Sequence, residues 1–204
     1  MSKSCCEAKA SELEILREKQ GSVLKWVLLI NAVMFFVEFS FGVVSKSSAL
    51  MADSLDMLGD AAVYAFSLYV LHKGAHWRAR AGMAKGIVMA LLGLGVLGQT
   101  IYRLSSGVLP TAETMGAIGL LALTANAICL FLLSKHKSDD INMKSTWICS
   151  RNDIISNVSV IVASLLVGVT GSGIPDWVVG FSIAALFLKS SVSVIREARA
   201  ELAA

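Results

Sequence analysis

The feature that most constrains this chain is a series of six apolar stretches, each about as long as a lipid bilayer is thick. A hydrocarbon core of ~30 Å needs roughly 20 helical residues at ~1.5 Å per residue. The predicted spans are 22–44, 48–71, 81–104, 112–133, 146–169 and 174–195. Hydrophobic residues make up 55% of the 204 positions and charged ones only 16%, which excludes an ordinary soluble domain. The sequence therefore predicts an all-α membrane protein with six transmembrane helices.

Lysine and arginine are distributed unevenly between the connections. They are concentrated before the first span, in the second and fourth connections and after the sixth span, whereas the alternate connections are nearly bare. Because cytoplasmic segments carry this excess, both termini are predicted to lie in the cytoplasm. The expected organisation is a cytoplasmic arm (1–20), a six-helix transmembrane domain (21–198) and a short cytoplasmic tail (199–204). The expected surrounding is a lipid bilayer, with no nucleic-acid partner.

Three aspartates interrupt the second apolar stretch: Asp53, Asp56 and Asp60. An ionised group at bilayer depth costs roughly 2.5–3.5 kcal/mol on insertion scales, so such residues usually mark an ion path or a proton relay. Helical residues four apart differ by about 40° in direction and about 6 Å in height. Asp56 and Asp60 are therefore predicted to point the same way, with Asp53 on the same face nearer the outer end.

A second polar stripe opens the fifth span, where Cys149, Asp153 and Asn157 follow each other at four-residue spacing. Depths counted from the outer helix ends predict that Asp60 and Asp153 meet near the middle of the bilayer, with Asp56 above and Cys149 below. Carboxylate oxygens and thiolates are zinc ligands. The thiolate favours soft ions such as zinc, cadmium or copper(I) over magnesium and calcium. The sequence predicts a divalent metal at these four residues and leaves zinc, cadmium, cobalt and iron open.

Protons and metal ions compete for the same ligand atoms, so a proton–metal antiporter is the predicted activity. Two alternative functions remain open. Asp60 and Asp153 could form the catalytic dyad of an intramembrane aspartyl protease, which would leave Asp56 and Cys149 without a role. A membrane sensor that binds metal without moving it is the other. The acids could also be structural and pair with Arg151.

Several further residues are accessory candidates. Glu38, in the first span, either relays protons or bridges neighbouring helices. The vicinal pair Cys5–Cys6 is either a free thiol pair or a capture site for soft metals. A glycine stripe in the third span, which includes Gly86 and Gly93, predicts close helix packing, either within the bundle or between subunits.

The second span and its surroundings resemble the cation diffusion facilitator family. The matching positions are Asn31, Glu38, Gly42, the run Ser48-Ala-Leu-Met-Ala-Asp-Ser54, Asp56 and Asp60; Arg151–Asn157 and Pro175-Asp176 also fit the family's later helices. The likeness covers essentially all six spans. It implies a homodimer that exports divalent metals by proton antiport, through a site made of Asp56, Asp60, Cys149 and Asp153. It implies no cofactor besides the transported metal, and a bacterial cytoplasmic (inner) membrane location.

The chain departs from the family pattern in two ways. The family generally has histidine at the position of Cys149, so the cysteine favours a softer metal. From this sequence we expect no cytoplasmic metal-binding domain of the kind that usually follows the sixth span in the family. The Cys5–Cys6 arm is a candidate to replace part of that domain.

Overall fold

The computed structural model describes the backbone of residues 5–69, 75–134 and 143–203. Within these ranges, side chains are described at 25–62, 65, 80, 82–132, 153–200, 202 and 203. The described backbone forms six helices: α1 (Cys5–Val44), α2 (Ser48–Tyr69), α3 (Ala75–Ser106), α4 (Ala112–Ser134), α5 (Met143–Thr170) and α6 (Ile174–Ala203). The predicted all-α class and the six helices are confirmed.

Five of these helices are long and apolar enough to cross a membrane: Lys25–Val44 in α1, Gly82–Ser106 in α3, Ala112–Leu132 in α4, Asp153–Thr170 in α5 and Ile174–Ala200 in α6. Many of their large apolar side chains point outward, such as Phe36 (67% exposed) and Leu165 (64%). An apolar outer surface of this kind suits lipid and would be unfavourable in water. The chain is an integral, multi-pass membrane protein.

The remaining helix, α2, has 22 residues, enough to cross the bilayer, but carries three aspartates. It contacts each of the other five helices, so it occupies the centre of the bundle. Every residue from Ala49 to Leu55 is buried. Asp53 is therefore surrounded by protein instead of lipid, and Asp56 and Asp60 are half-buried, which lowers the cost of holding these acids at bilayer depth.

The glycine stripe of α3 packs inside the bundle, against α6. A Cβ atom built on Gly86 would lie 2.6 Å from Cγ1 of Ile195, and one on Gly93 would lie 2.8 Å from Cδ2 of Leu188. Side chains at these positions would push the two helices apart, so the glycines permit their close approach. Of the two interpretations of this stripe, packing within the bundle is the one that the contacts support.

Candidate metal site

The buried aspartate Asp53 connects α2 to α5. Its side chain is 1% exposed, and its Oδ1 atom accepts a hydrogen bond from Oγ of Ser156 at 2.5 Å. The donor lies on α5, three residues beyond Asp153. This contact brings the acid-bearing face of α2 against the polar stripe of α5.

The Asp53–Ser156 contact also sets how the two antiparallel helices align. Asp56 on α2 and Asp153 on α5 each lie three residues inward of this contact, or ~4.5 Å along their helices. Seven residues inward, or ~10.5 Å, come Asp60 on α2 and Cys149 on α5. The four predicted ligand positions thus form two levels, each with one residue from either helix.

This alignment corrects the predicted depth of the acids. The expectation that Asp60 and Asp153 lie at one level is off by about one helical turn, because it assumed that the outer ends of α2 and α5 are level. Only five residues of α2 (48–52) lie outward of Asp53, whereas fourteen residues of α5 (157–170) lie outward of Ser156. Counting inward from this contact, we therefore expect Asp153 opposite Asp56 and residue 149 opposite Asp60.

The individual side chains are described only in part. Asp56, Asp60 and Asp153 are half-buried. For Cys149 the backbone lies in α5, but the side chain is outside the described set. Among the described residues, no three His, Cys, Asp or Glu side chains are grouped closely enough to hold a metal ion. The four-ligand set, which includes the thiol of Cys149, stays a prediction.

A second buried carboxyl group, Glu38 of α1, lies within hydrogen-bonding reach of Asp53. Glu38 is fully buried, and neither of its carboxyl oxygens has a donor among the described residues. Two carboxyl groups can form a hydrogen bond only when one of them carries the proton. Side chains of α1, α2 and α5 therefore lie close together at Glu38, Asp53 and Ser156, outward of the proposed ligands, and the Asp53–Ser156 hydrogen bond joins α2 to α5.

Asn157 is the third polar residue of the α5 stripe. Its Nδ2 atom donates to the backbone carbonyl of Asp153 at 2.7 Å, so the amide is held against its own helix. Its Oδ1 atom is buried and has no donor among the described side chains. A buried oxygen of this kind can accept a hydrogen bond or coordinate a cation, and the accessory role of Asn157 stays a prediction.

The remaining sequence predictions fall outside the described side chains. These are Cys5, Cys6 and the alternative partner Arg151. The arm that carries the two cysteines is helical and continuous with the first span, since α1 runs unbroken from Cys5 to Val44. Sequence reasoning did not identify Ser156, because a serine inside an apolar helix usually bonds to its own backbone. Its place one residue before Asn157, beside the polar stripe, is the only signal.

The fold and this helix pair define an all-α integral membrane protein whose polar interior consists of carboxyl, amide and hydroxyl groups. The chain belongs to the cation efflux family: residues 24–203 match the cation efflux transmembrane domain. The resemblance seen in the second span is thereby confirmed.

Curated relatives extend the comparison. The metal cation efflux system protein CzcD of Cupriavidus metallidurans is 26% identical over 193 residues, which cover 85% of this chain and 61% of that protein. The cadmium, cobalt and zinc/H(+)-K(+) antiporter of Bacillus subtilis is 24% identical over 192 residues, with coverage of 85% and 61%. The zinc transporter ZitB of Escherichia coli is 24% identical over 187 residues, with coverage of 85% and 59%. The chain thus spans about three fifths of the length of these relatives.

Proposed function

We propose that this protein exports divalent heavy-metal cations from the cytoplasm in exchange for protons, and that it holds the cation between α2 and α5. The proposed ligands are Asp56, Asp60, Cys149 and Asp153. The observation that carries the proposal is the hydrogen bond from Ser156 to Asp53. It supports an alignment in which, by counting along the two helices, the four ligand positions would face each other in two levels.

The proposed cargo is zinc, with cadmium, cobalt and iron as the other candidates. Three carboxylates and one thiolate can complete the tetrahedral set that zinc prefers. Sulfur raises affinity for soft ions and gives no advantage to magnesium or calcium. The relatives' names support this range, because the Bacillus subtilis protein is named for cadmium, cobalt and zinc and the Escherichia coli protein for zinc.

Proton exchange follows from the chemistry of the ligands. A carboxylate or thiolate binds metal only when it is deprotonated, so protonation of a ligand lowers the affinity of the site for the metal. A metal ion entering from the cytoplasm would displace protons, and protons returning from outside would release it. The name of the Bacillus subtilis relative supports proton coupling in this family. Within this proposal Glu38, Asp53 and Asn157 are accessory groups that line the outward side.

Two further features belong to the same proposal. The protein acts as a homodimer, as the family resemblance implies, and it resides in a bacterial cytoplasmic membrane. Chemical cross-linking of the purified protein in lipid nanodiscs, followed by mass measurement, tests the dimer. A purely monomeric product would refute that part without affecting the site.

The decisive experiment is metal flux into sealed proteoliposomes, with zinc, cadmium, cobalt and magnesium compared with and without a pH gradient. Asp153→Ala is expected to abolish flux. Cys149→His is expected to shift preference from cadmium toward zinc. Glu113→Gln is the matched control, because it changes the same chemical group at an exposed position in the first turn of α4. It is expected to transport like the wild type.

Each contrary outcome identifies a different error. Wild-type transport by both site variants would place the site elsewhere. Flux that ignores the pH gradient would refute proton exchange but leave metal transport intact. Metal binding without flux would indicate the sensor, and peptide cleavage in the absence of metal would indicate the protease.

A further inference from the structure

The first turn of α2 donates hydrogen bonds to a side chain of another helix. Asp176, near the start of α6, accepts from Oγ of Ser47 at 2.6 Å, from the backbone N–H of Ser48 at 2.8 Å and from that of Ala49 at 3.0 Å. Ser47 Oγ in turn accepts from the N–H of Leu50 at 3.0 Å. Helices begin with unpaired N–H groups, and here the first three are satisfied by two side chains.

This carboxyl group is inaccessible to solvent and has a buried cation nearby. Asp176 is 0% exposed, and Arg103, in the last turn of α3, is 4% exposed. Arg103 lies close enough to attract Asp176 electrostatically. Its Nη1 atom has no hydrogen-bond partner among the described residues, and Asp176 is a negative charge that acts on it electrostatically.

The backbones of α2 and α6 also touch at this level. A Cβ atom built on Gly180, four residues after Asp176, would lie 2.7 Å from the carbonyl carbon of Ser48. With no side chain in between, α6 rests directly on the first turn of α2. The outer end of α2 is therefore held in both its position along the axis and its rotation.

We propose that Asp176 is a positioning residue for metal transport, because it fixes the depth and rotation of α2 and thereby of Asp56 and Asp60. A slip of α2 by one residue would shift these carboxyl groups by ~1.5 Å and turn them by ~100° away from α5. The groups that hold α2 against such a slip are the Asp176 bonds at its outer end and the Asp53–Ser156 bond nearer the middle. This inference rests on the proposed function, since the consequence is a change in metal binding.

The test compares transport kinetics at a temperature where every variant used is folded. In Asp176→Asn and Ser47→Ala, the metal concentration for half-maximal flux is expected to rise ~10–100-fold, the range for partners that orient metal ligands. Maximal flux at saturating metal is expected to fall much less. A purely structural role would lower the yield of folded protein and the melting temperature, while the protein that remains folded would keep wild-type affinity.

The charge pair provides a rescue. In Asp176→Asn the buried Arg103 loses its counter-charge, so adding Arg103→Gln is expected to restore part of the lost affinity. Glu113→Gln, an exposed acid in the first turn of α4, is the matched control and is expected to keep wild-type affinity. Asp176→Ala extends the series if it folds; if it does not, the two milder variants decide.

The outcomes separate this inference from the function on which it rests. Wild-type protein that moves no metal would overturn the proposed function itself. The positioning role alone would be overturned if the wild-type protein transports metal and both Asp176→Asn and Ser47→Ala reach half-maximal flux within about twofold of the wild-type metal concentration. This margin is decisive because the expected rise is ~10–100-fold.

Discussion

Removing the hydroxyl group of Ser156 tests the contact that aligns α2 with α5. In the wild type this hydroxyl donates to Asp53 at 2.5 Å, and Asp53 is 1% exposed. In Ser156→Ala, Oδ1 of Asp53 would join Oδ2 in having no hydroxyl or N–H donor among the described residues. A buried acceptor without a donor carries its full desolvation penalty.

Two typical values for the free energy of such a hydrogen bond differ several-fold. Bonds between membrane helices average only ~0.6 kcal/mol in double-mutant cycles. Bonds to charged groups are worth roughly 1.5–3 kcal/mol. The acceptor here is a carboxyl group, and the larger figure is the one expected for its ionised form. Ser156→Ala is therefore expected to lower the free energy of unfolding by about 1.5–3 kcal/mol.

The assay is SDS-induced unfolding in mixed lipid micelles, followed by circular dichroism. Ser159→Ala is the matched control: its hydroxyl is on the same helix but donates to the backbone carbonyl of Ile155 at 2.7 Å. Its loss is expected to change stability by less than ~0.5 kcal/mol, as for most surface substitutions. Equal losses in both alanine variants would mean that Ser156 does not tie the helices, and the two-level arrangement of the ligands would fall with it.

Three other predictions concern a helix contact, the Glu38 carboxyl group and the metal site. Gly180→Ala is expected to lower the free energy of unfolding by about 1–3 kcal/mol, because its Cβ atom would lie 2.7 Å from a carbonyl carbon of α2. Gly98→Ala is the control: a Cβ atom there would have no neighbouring atom within 4 Å, so the substitution is expected to be neutral or stabilising in the same assay. Glu38→Gln is expected to have a melting temperature at or above that of the wild type, because an amide N–H can donate to Asp53 without a shared proton. A large drop in melting temperature would contradict a contact between residues 38 and 53. Cadmium at ~100 times its dissociation constant is expected to add ~2.7 kcal/mol to wild-type stability. A chelator should reverse this gain in a thermal-shift assay, Asp60→Asn should lose most of it, and an equal gain in both proteins would remove Asp60 from the ligand set.

Helix positions were predictable where polar turns meet apolar runs. The predicted spans beginning at Ser48, Ala112 and Ile174 coincide with the starts of α2, α4 and α6. The inner ends differ, since α3 begins at Ala75 and not at Ala81, and α6 continues to Ala203. Hydropathy reports where a helix meets lipid, whereas a helix continues into polar surroundings as long as its backbone bonds persist.

The candidate site was predictable in its residue types and faces but not in its alignment. Four-residue spacing on α2 and α5 selects the acidic faces from sequence alone. The relative depth of two helices depends on a contact such as Asp53–Ser156, which sequence spacing does not contain. The role of Asp176 was hidden for the same reason: an acid in the first turn of a helix ordinarily serves its own helix, and this one bonds to α2 instead.

The bonds from Asp176 also bear on how the chain is made. Asp176 follows Ser48 by 128 residues, so α2 leaves the ribosome long before its cap exists. An aspartate at the centre of a helix opposes insertion by roughly 2.5–3.5 kcal/mol, and α2 carries three aspartates, so α2 on its own is a poor substrate for the translocon. The cap that Asp176 provides to the central helix can form only after the last helix has been synthesised. A nascent chain stopped before α6 would keep α2 unfinished at the membrane, where quality-control proteases could recognise it.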